Sequence, residues 1–195
     1  MSARLRTASI ALLAVVAALL LAGCGNADKR VTTGTYAGEG GANAPYLNVG
    51  PLVYQVQLSR ELNPYNNEDS NYLKGVGVAE STLAPGEMWF GVFLQVYNRT
   101  NARLIASDSI YITDTQNNIY HPLPLSRLNT FAYRAGPVPG RGQLPVPGTP
   151  ERAFGSEGQL LLFKIPVSAY DNRPLEIRIT DPENPARSAS AELDV

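Results

Sequence analysis

The chain has 195 residues, a length for one domain or two at most. Sixteen Lys and Arg stand against 17 Asp and Glu, and removal of residues 1–23 leaves 14 basic against 17 acidic residues, a body without the basic face that nucleic acid demands. One Cys and one His exclude an internal disulfide, a cysteine metal cluster and a histidine-rich zinc or copper site, so neither a cofactor nor a metal is expected.

Met1–Gly23 reads in three parts. Arg4 and Arg6 give a basic start, Ile10–Ala22 is an unbroken apolar run, and Leu21-Ala22-Gly23 places small residues before Cys24. The run of 13 residues is short of the roughly 20 that span a membrane and suits the core of an export signal. Leu5 separates the two arginines, so general export is the expected route. The segment resembles the lipobox of bacterial lipoproteins. That resemblance implies acylation of the Cys24 thiol by a diacylglyceryl group, cleavage before it, and anchoring at the extracytoplasmic face of the cell membrane. Two acyl chains hold a protein stably where one does so only marginally.

Residues 24–50 follow as a lipidated cysteine and a flexible, glycine-rich tether, spanning roughly 28 Å on average as a coil. Within it, Pro45–Val49 is the stretch able to fold back as an edge strand. The globular body is expected over residues 51–195. Leu52, Tyr54, Val56 and Leu58 alternate with Val53, Gln55 and Gln57, predicting a half-buried strand. Met88–Tyr97 predicts a central strand, because Phe90, Val92, Leu94 and Val96 share one face and the opposite face is also largely apolar. Ser109–Thr113 and Ile119–His121 predict a hairpin closed through Asn117 and Asn118, residues that tolerate positive φ. Gln159–Ile165, Leu175–Thr180 and Ser188–Val195 complete an alternating pattern with no convincing helical stripe. The fold class that follows is all-β, a single antiparallel β-sandwich.

Two long loops interrupt the strands, Ser59–Tyr72 and the Pro/Gly-rich Arg134–Gly158, which repeats Pro-Val-Pro-Gly at 137–140 and 145–148. Trp89–Asn98, Ile110–Asp114, Asn118–Tyr120 and Leu160–Pro166, taken in order, resemble a family of immunoglobulin-like domains of unknown function found in bacterial, often actinobacterial, lipoproteins. The resemblance covers about residues 51–180, implies an immunoglobulin-like sandwich, and carries no catalytic residues.

The chain contains no Gly-x-Ser-x-Gly elbow, His-Glu-x-x-His pair, phosphate loop or dinucleotide fingerprint. His121 reads as a surface or core-edge histidine. Asn66-Asn67-Glu68-Asp69 offers hard oxygens but lacks the alternating acid spacing of calcium loops. Tyr65 and Tyr72 flank that polar stretch, and tyrosines in loops supply contact area at low entropic cost. Tyr65, Glu68, Asp69 and Tyr72 are therefore the candidate partner-binding residues. The expectation is a binding module at the cell envelope, not an enzyme, tethered to the membrane by its lipid and meeting an envelope protein or glycan. An envelope-glycan hydrolase and a purely structural spacer are the alternatives.

Overall fold

A computed structural model describes residues 31–35, 46–149 and 158–193 of the chain. Twelve strands are formed among them: β1 (Val31–Thr35), β2 (Tyr46–Val49), β3 (Leu52–Leu62), β4 (Glu87–Asn98), β5 (Leu104–Ile105), β6 (Ile110–Thr113), β7 (Ile119–Tyr120), β8 (Pro137–Val138), β9 (Gln143–Leu144), β10 (Gln159–Pro166), β11 (Leu175–Thr180) and β12 (Ser188–Leu193). One sheet runs β1-β12-β11-β6-β7 and the other β10-β4-β3-β2, with β9 continuing beside β4; β5 and β8 form a small separate ribbon. All pairings are antiparallel except β1 with β12, which is parallel. The protein is an all-β sandwich, as its alternation predicts.

The core between the sheets follows from the period of two. Ile177 and Ile179 of β11, Ala189 and Ala191 of β12 and Ile110 and Ile112 of β6 turn inward, against Phe90, Val92, Leu94 and Val96 of β4 and Leu161, Phe163 and Ile165 of β10. Tyr54 is buried in this core, and its hydroxyl accepts the Ser107 N–H at 2.7 Å. Burial pushes that phenol up to about 12, although the Ser107 hydrogen bond opposes the shift.

β3 departs from its expected pattern. A bulge between Val56 and Leu58 shifts the β3–β4 register, and one extra residue exchanges the two faces. Leu58 therefore does not share a face with Leu52, Tyr54 and Val56. It joins Leu62, Trp89, Phe93, Leu160 and Leu162 on the outer side of the β4 sheet. A second hydrophobic cluster forms there, covered by Tyr72, Leu73, Val76 and Leu83 from one connection and Leu123, Leu125 and Phe131 from another. The Tyr72 ring meets Phe93 and Phe131 edge-on, at centroid distances of 5.1 and 4.9 Å.

The tether is also shorter than its composition implies. Residues 31–35 and 46–49 are strands, so the sandwich begins before residue 51. The glycine-rich segment lacks side chains to order itself, but the open edge of β12 supplies backbone partners for β1. Leu47 and Val49 point into the core while Tyr46 and Asn48 point out. The β2–β3 turn is Gly50-Pro51, with Gly50 at φ 57°. A side chain at Gly50 would meet the Asp181 carboxylate, so both conformation and space require glycine.

Candidate functional site

The polar loop expected at 59–72 is largely absorbed into structure. β3 runs on to Leu62, and residues 67–72 form a short helix, α1 (Asn67–Tyr72). Asn66 caps α1 by accepting the Glu68 and Asp69 N–H groups at 2.8 and 3.3 Å. Asp69 is buried and accepts both terminal nitrogens of Arg60, at 3.0 and 2.6 Å, and the Asn63 N–H at 2.8 Å. Burial would raise its carboxyl, but the Arg60 and Asn63 hydrogen bonds prevail and hold it below the usual carboxylate range. Tyr72 lies in the second core, with its hydroxyl donating to Glu68 Oε1 at 3.1 Å. Of the four residues expected to meet a partner, Asp69 and Tyr72 are thus committed inside the fold, while Glu68 is exposed and Tyr65 is 94% exposed. The four do not converge on one cleft. Cys24 and the lipobox lie outside the described residues.

A concave site does form elsewhere, from residues to which the sequence gives no site role apart from Arg134 and Ala135, the start of the long Pro/Gly-rich loop. After β7, Pro122 and Pro124 cannot donate to a ladder, and the chain leaves its sheet to run along the free edge of β10. Leu123 N–H donates to the Leu162 carbonyl at 2.7 Å, Tyr133 N–H to the Leu160 carbonyl at 2.8 Å, and Leu160 N–H to the Phe131 carbonyl at 2.7 Å. Between these strands of chain and the start of β6 lies a cleft of about 320 Å³. Leu123, Leu125, Ala132, Leu160 and Ile110 make its walls apolar, and Asp108 and Arg134 bring the two charges.

Arg134 is held in place by backbone. Its guanidinium donates to the Leu125 carbonyl at 3.0 Å and the Ser126 carbonyl at 2.6 Å, which also pins the Ser126–Asn129 turn. Asn129 braces the same turn by donating to the Tyr72 and Lys74 carbonyls at 2.8 and 2.7 Å. Tyr133 closes the cleft's inner side, donating to the Ser107 carbonyl at 2.7 Å. Burial holds its phenol well above the usual tyrosine range. The cleft can therefore seat an apolar group with a polar flank, within the size range of small ligand sites. The Pro122-Leu123-Pro124-Leu125 run was the available signal: two prolines break a strand while two leucines still demand burial.

The chain matches no known protein family model, and no curated protein matches it in sequence. Solved structures with a related outline include yjhA of Bacillus subtilis, at 7% identity and TM-score 0.46 over 77% of this chain and 96% of that one. A candidate lipoprotein of the same organism, ycdA, matches at 8% identity and TM-score 0.49, over 78% of this chain but 39% of its own length. An uncharacterized β-sandwich protein from Clostridium difficile matches at 6% identity and TM-score 0.40, over 82% of this chain and 96% of that one.

Proposed function

We propose that the protein is an exported, lipid-anchored β-sandwich that works by binding at the extracytoplasmic face of the cell membrane, with the Asp108–Arg134 cleft receiving an apolar group of an envelope protein. The observation that carries this reading is the cleft itself: apolar walls, a cationic and an anionic flank, and a rim braced by hydrogen bonds from the Arg134 guanidinium to backbone carbonyls. Cys24 supplies the anchor. Catalysis is the weaker reading. A glycosidase needs two carboxyls about 5–9.5 Å apart across a substrate, and here Asp69 is turned inward on Arg60 while Glu68 faces solvent. His121 stands beside Tyr111, outside the cleft lining.

The test places a photo-crosslinking residue at the exposed Ala135 of the full chain in living cells. A discrete protein adduct is expected, and it should disappear when Ala132→Phe fills the cleft floor. Membrane-bound protein that gives no adduct, or an adduct indifferent to Ala132→Phe, would overturn the cleft as the contact site.

A further inference from the structure

The two outer faces of the sandwich differ. That of the β4 sheet carries a second hydrophobic cluster under its connections. That of the β11 sheet carries a groove of about 310 Å³. Because Leu175, Ile177, Ile179, Ala189, Ala191, Ile110 and Ile112 face the core, the alternate residues face outward. Register then sets them in rows. Ser190, Arg178 and Tyr111 are partners across β12, β11 and β6, and the row continues to His121, whose ring centre lies 6.0 Å from that of Tyr111. Glu176 stands in the adjoining row, its Oε1 2.9 Å from Arg178 Nε. Thr180 and Ser188 face each other in the row on the other side.

This groove differs in chemistry from the cleft. Its lining is an aromatic ring, a compensated Arg–Glu pair and serine and threonine hydroxyls, with Pro185 at the edge. No large aliphatic side chain lines it, so it is not a face awaiting another hydrophobic layer. A compensated pair offers nothing to a strongly charged ligand. It does offer a planar donor beside a planar acceptor, flanked by hydroxyls that can do either. The ligand that complements such a surface is neutral and rich in hydroxyls, with one apolar face for the tyrosine ring. Three adjacent strands span about 10 Å, the scale of a short oligosaccharide.

We propose that the outer face of the β11 sheet binds a neutral saccharide in the groove of Tyr111, Arg178, Glu176 and Ser190, independently of the cleft. Tyr111 stacks on the C–H face of a sugar ring, and Arg178 and Glu176 bind its hydroxyls. The full chain in detergent is titrated calorimetrically with N-acetylglucosamine, glucose and galactose oligomers, with a proline-rich peptide as the probe of another class. At least one oligosaccharide is expected to bind. Tyr111→Ala and Arg178→Gln should each weaken it by about tenfold or more, with the melting temperature unchanged, and Glu68→Gln, at an exposed site away from the groove, should leave it intact. Arg178→Gln keeps the test decisive if Tyr111→Ala unfolds. Absence of saccharide binding at millimolar concentration, binding of the peptide alone, or saccharide binding indifferent to Arg178→Gln would each overturn the proposal.

Discussion

Asp114 closes the β6–β7 hairpin by gathering donors from three directions. Its Oδ1 accepts the Gln116 and Asn118 N–H groups at 2.9 and 3.0 Å, and its Oδ2 accepts from the Asn118 amide, the Tyr120 hydroxyl and the Asn172 amide. Burial would raise the carboxyl, but the Asn118, Tyr120 and Gln116 hydrogen bonds outweigh it and hold it at about 2, against 3.8 for a free group. A folded value below the unfolded one contributes stability above the unfolded pKa, lost as pH falls through the folded one. The contribution is thus complete above about pH 4 and fades toward pH 2, and it amounts to roughly 2 kcal/mol. Asp114→Asn should lower stability by about that amount at pH 7, with the difference from the native chain narrowing below pH 4, as measured by denaturant melts at several pH values. A difference that stays constant down to pH 2 would mean that ionisation of Asp114 is not what stabilises the turn. Asn117, at φ 63°, was legible as the turn residue; the convergence of Asn172 from a distant segment was not, because no local pattern announces it. Cys24 is tested at the same scale. It is the chain's sole thiol, so Cys24→Ala should abolish lipid labelling and signal processing. Label retained on the Ala chain would remove the lipobox reading.

Both faces of β4 are apolar, as a central strand requires, and it lies between β3 and β10 with residues 88–96 all buried. Leu94 sits in the inter-sheet core opposite Val56 and Gln159. Leu94→Ala should cost roughly 2–5 kcal/mol, and a loss below about half a kcal/mol in denaturant melts would place the strand outside the cooperative core. β3 shows why alternation alone fell short. A bulge adds a residue without leaving a composition signal, so Leu58 changed sides, and with it changed the meaning of everything downstream. Ser59–Leu62 became strand, and the polar stretch after it became a capped turn of helix over a second core. The candidate site suffered most from this. Tyr72 was legible as an aromatic beside acids, but its burial depends on Phe93 and Phe131, which are distant in sequence. The Arg60–Asp69 pair can be tested as part of this element. Asp69→Asn keeps the shape but leaves the partly buried Arg60 without its counter-charge and weakens the acceptor of the Asn63 N–H. Melting should fall, whereas Glu68→Gln, at an exposed site, should change stability by less than about 0.5 kcal/mol. Equal effects of the two substitutions would show that Asp69 is not structural.

At the scale of the whole molecule, stability rests on two apolar layers either side of the β4 sheet and on backbone pairing at the edges. The oxygens of Asn63, Asn66 and Asp69 accept hydrogen bonds from protein donors, and among the described residues no three His, Cys, Asp or Glu gather in one place. Melting should therefore be unmoved by excess chelator, and a drop restored by calcium would point back to the Asn63–Asp69 turn. The edges carry a sharper consequence. β1 aligns with β12 from Ser188 to Glu192 and shields that edge from pairing with another chain, a hazard of open edges. A soluble chain starting at residue 25 retains β1; one starting at residue 45 keeps β2 and both apolar layers but bares β12. Each net backbone hydrogen bond contributes about 1 kcal/mol, and each kcal/mol moves the melting temperature of a domain this size by about 2–4 °C. The shorter chain should melt lower by at least that much and should associate as concentration rises, in calorimetry and sedimentation run side by side. Two chains that melt together and stay monomeric would return residues 25–45 to the role of a tether.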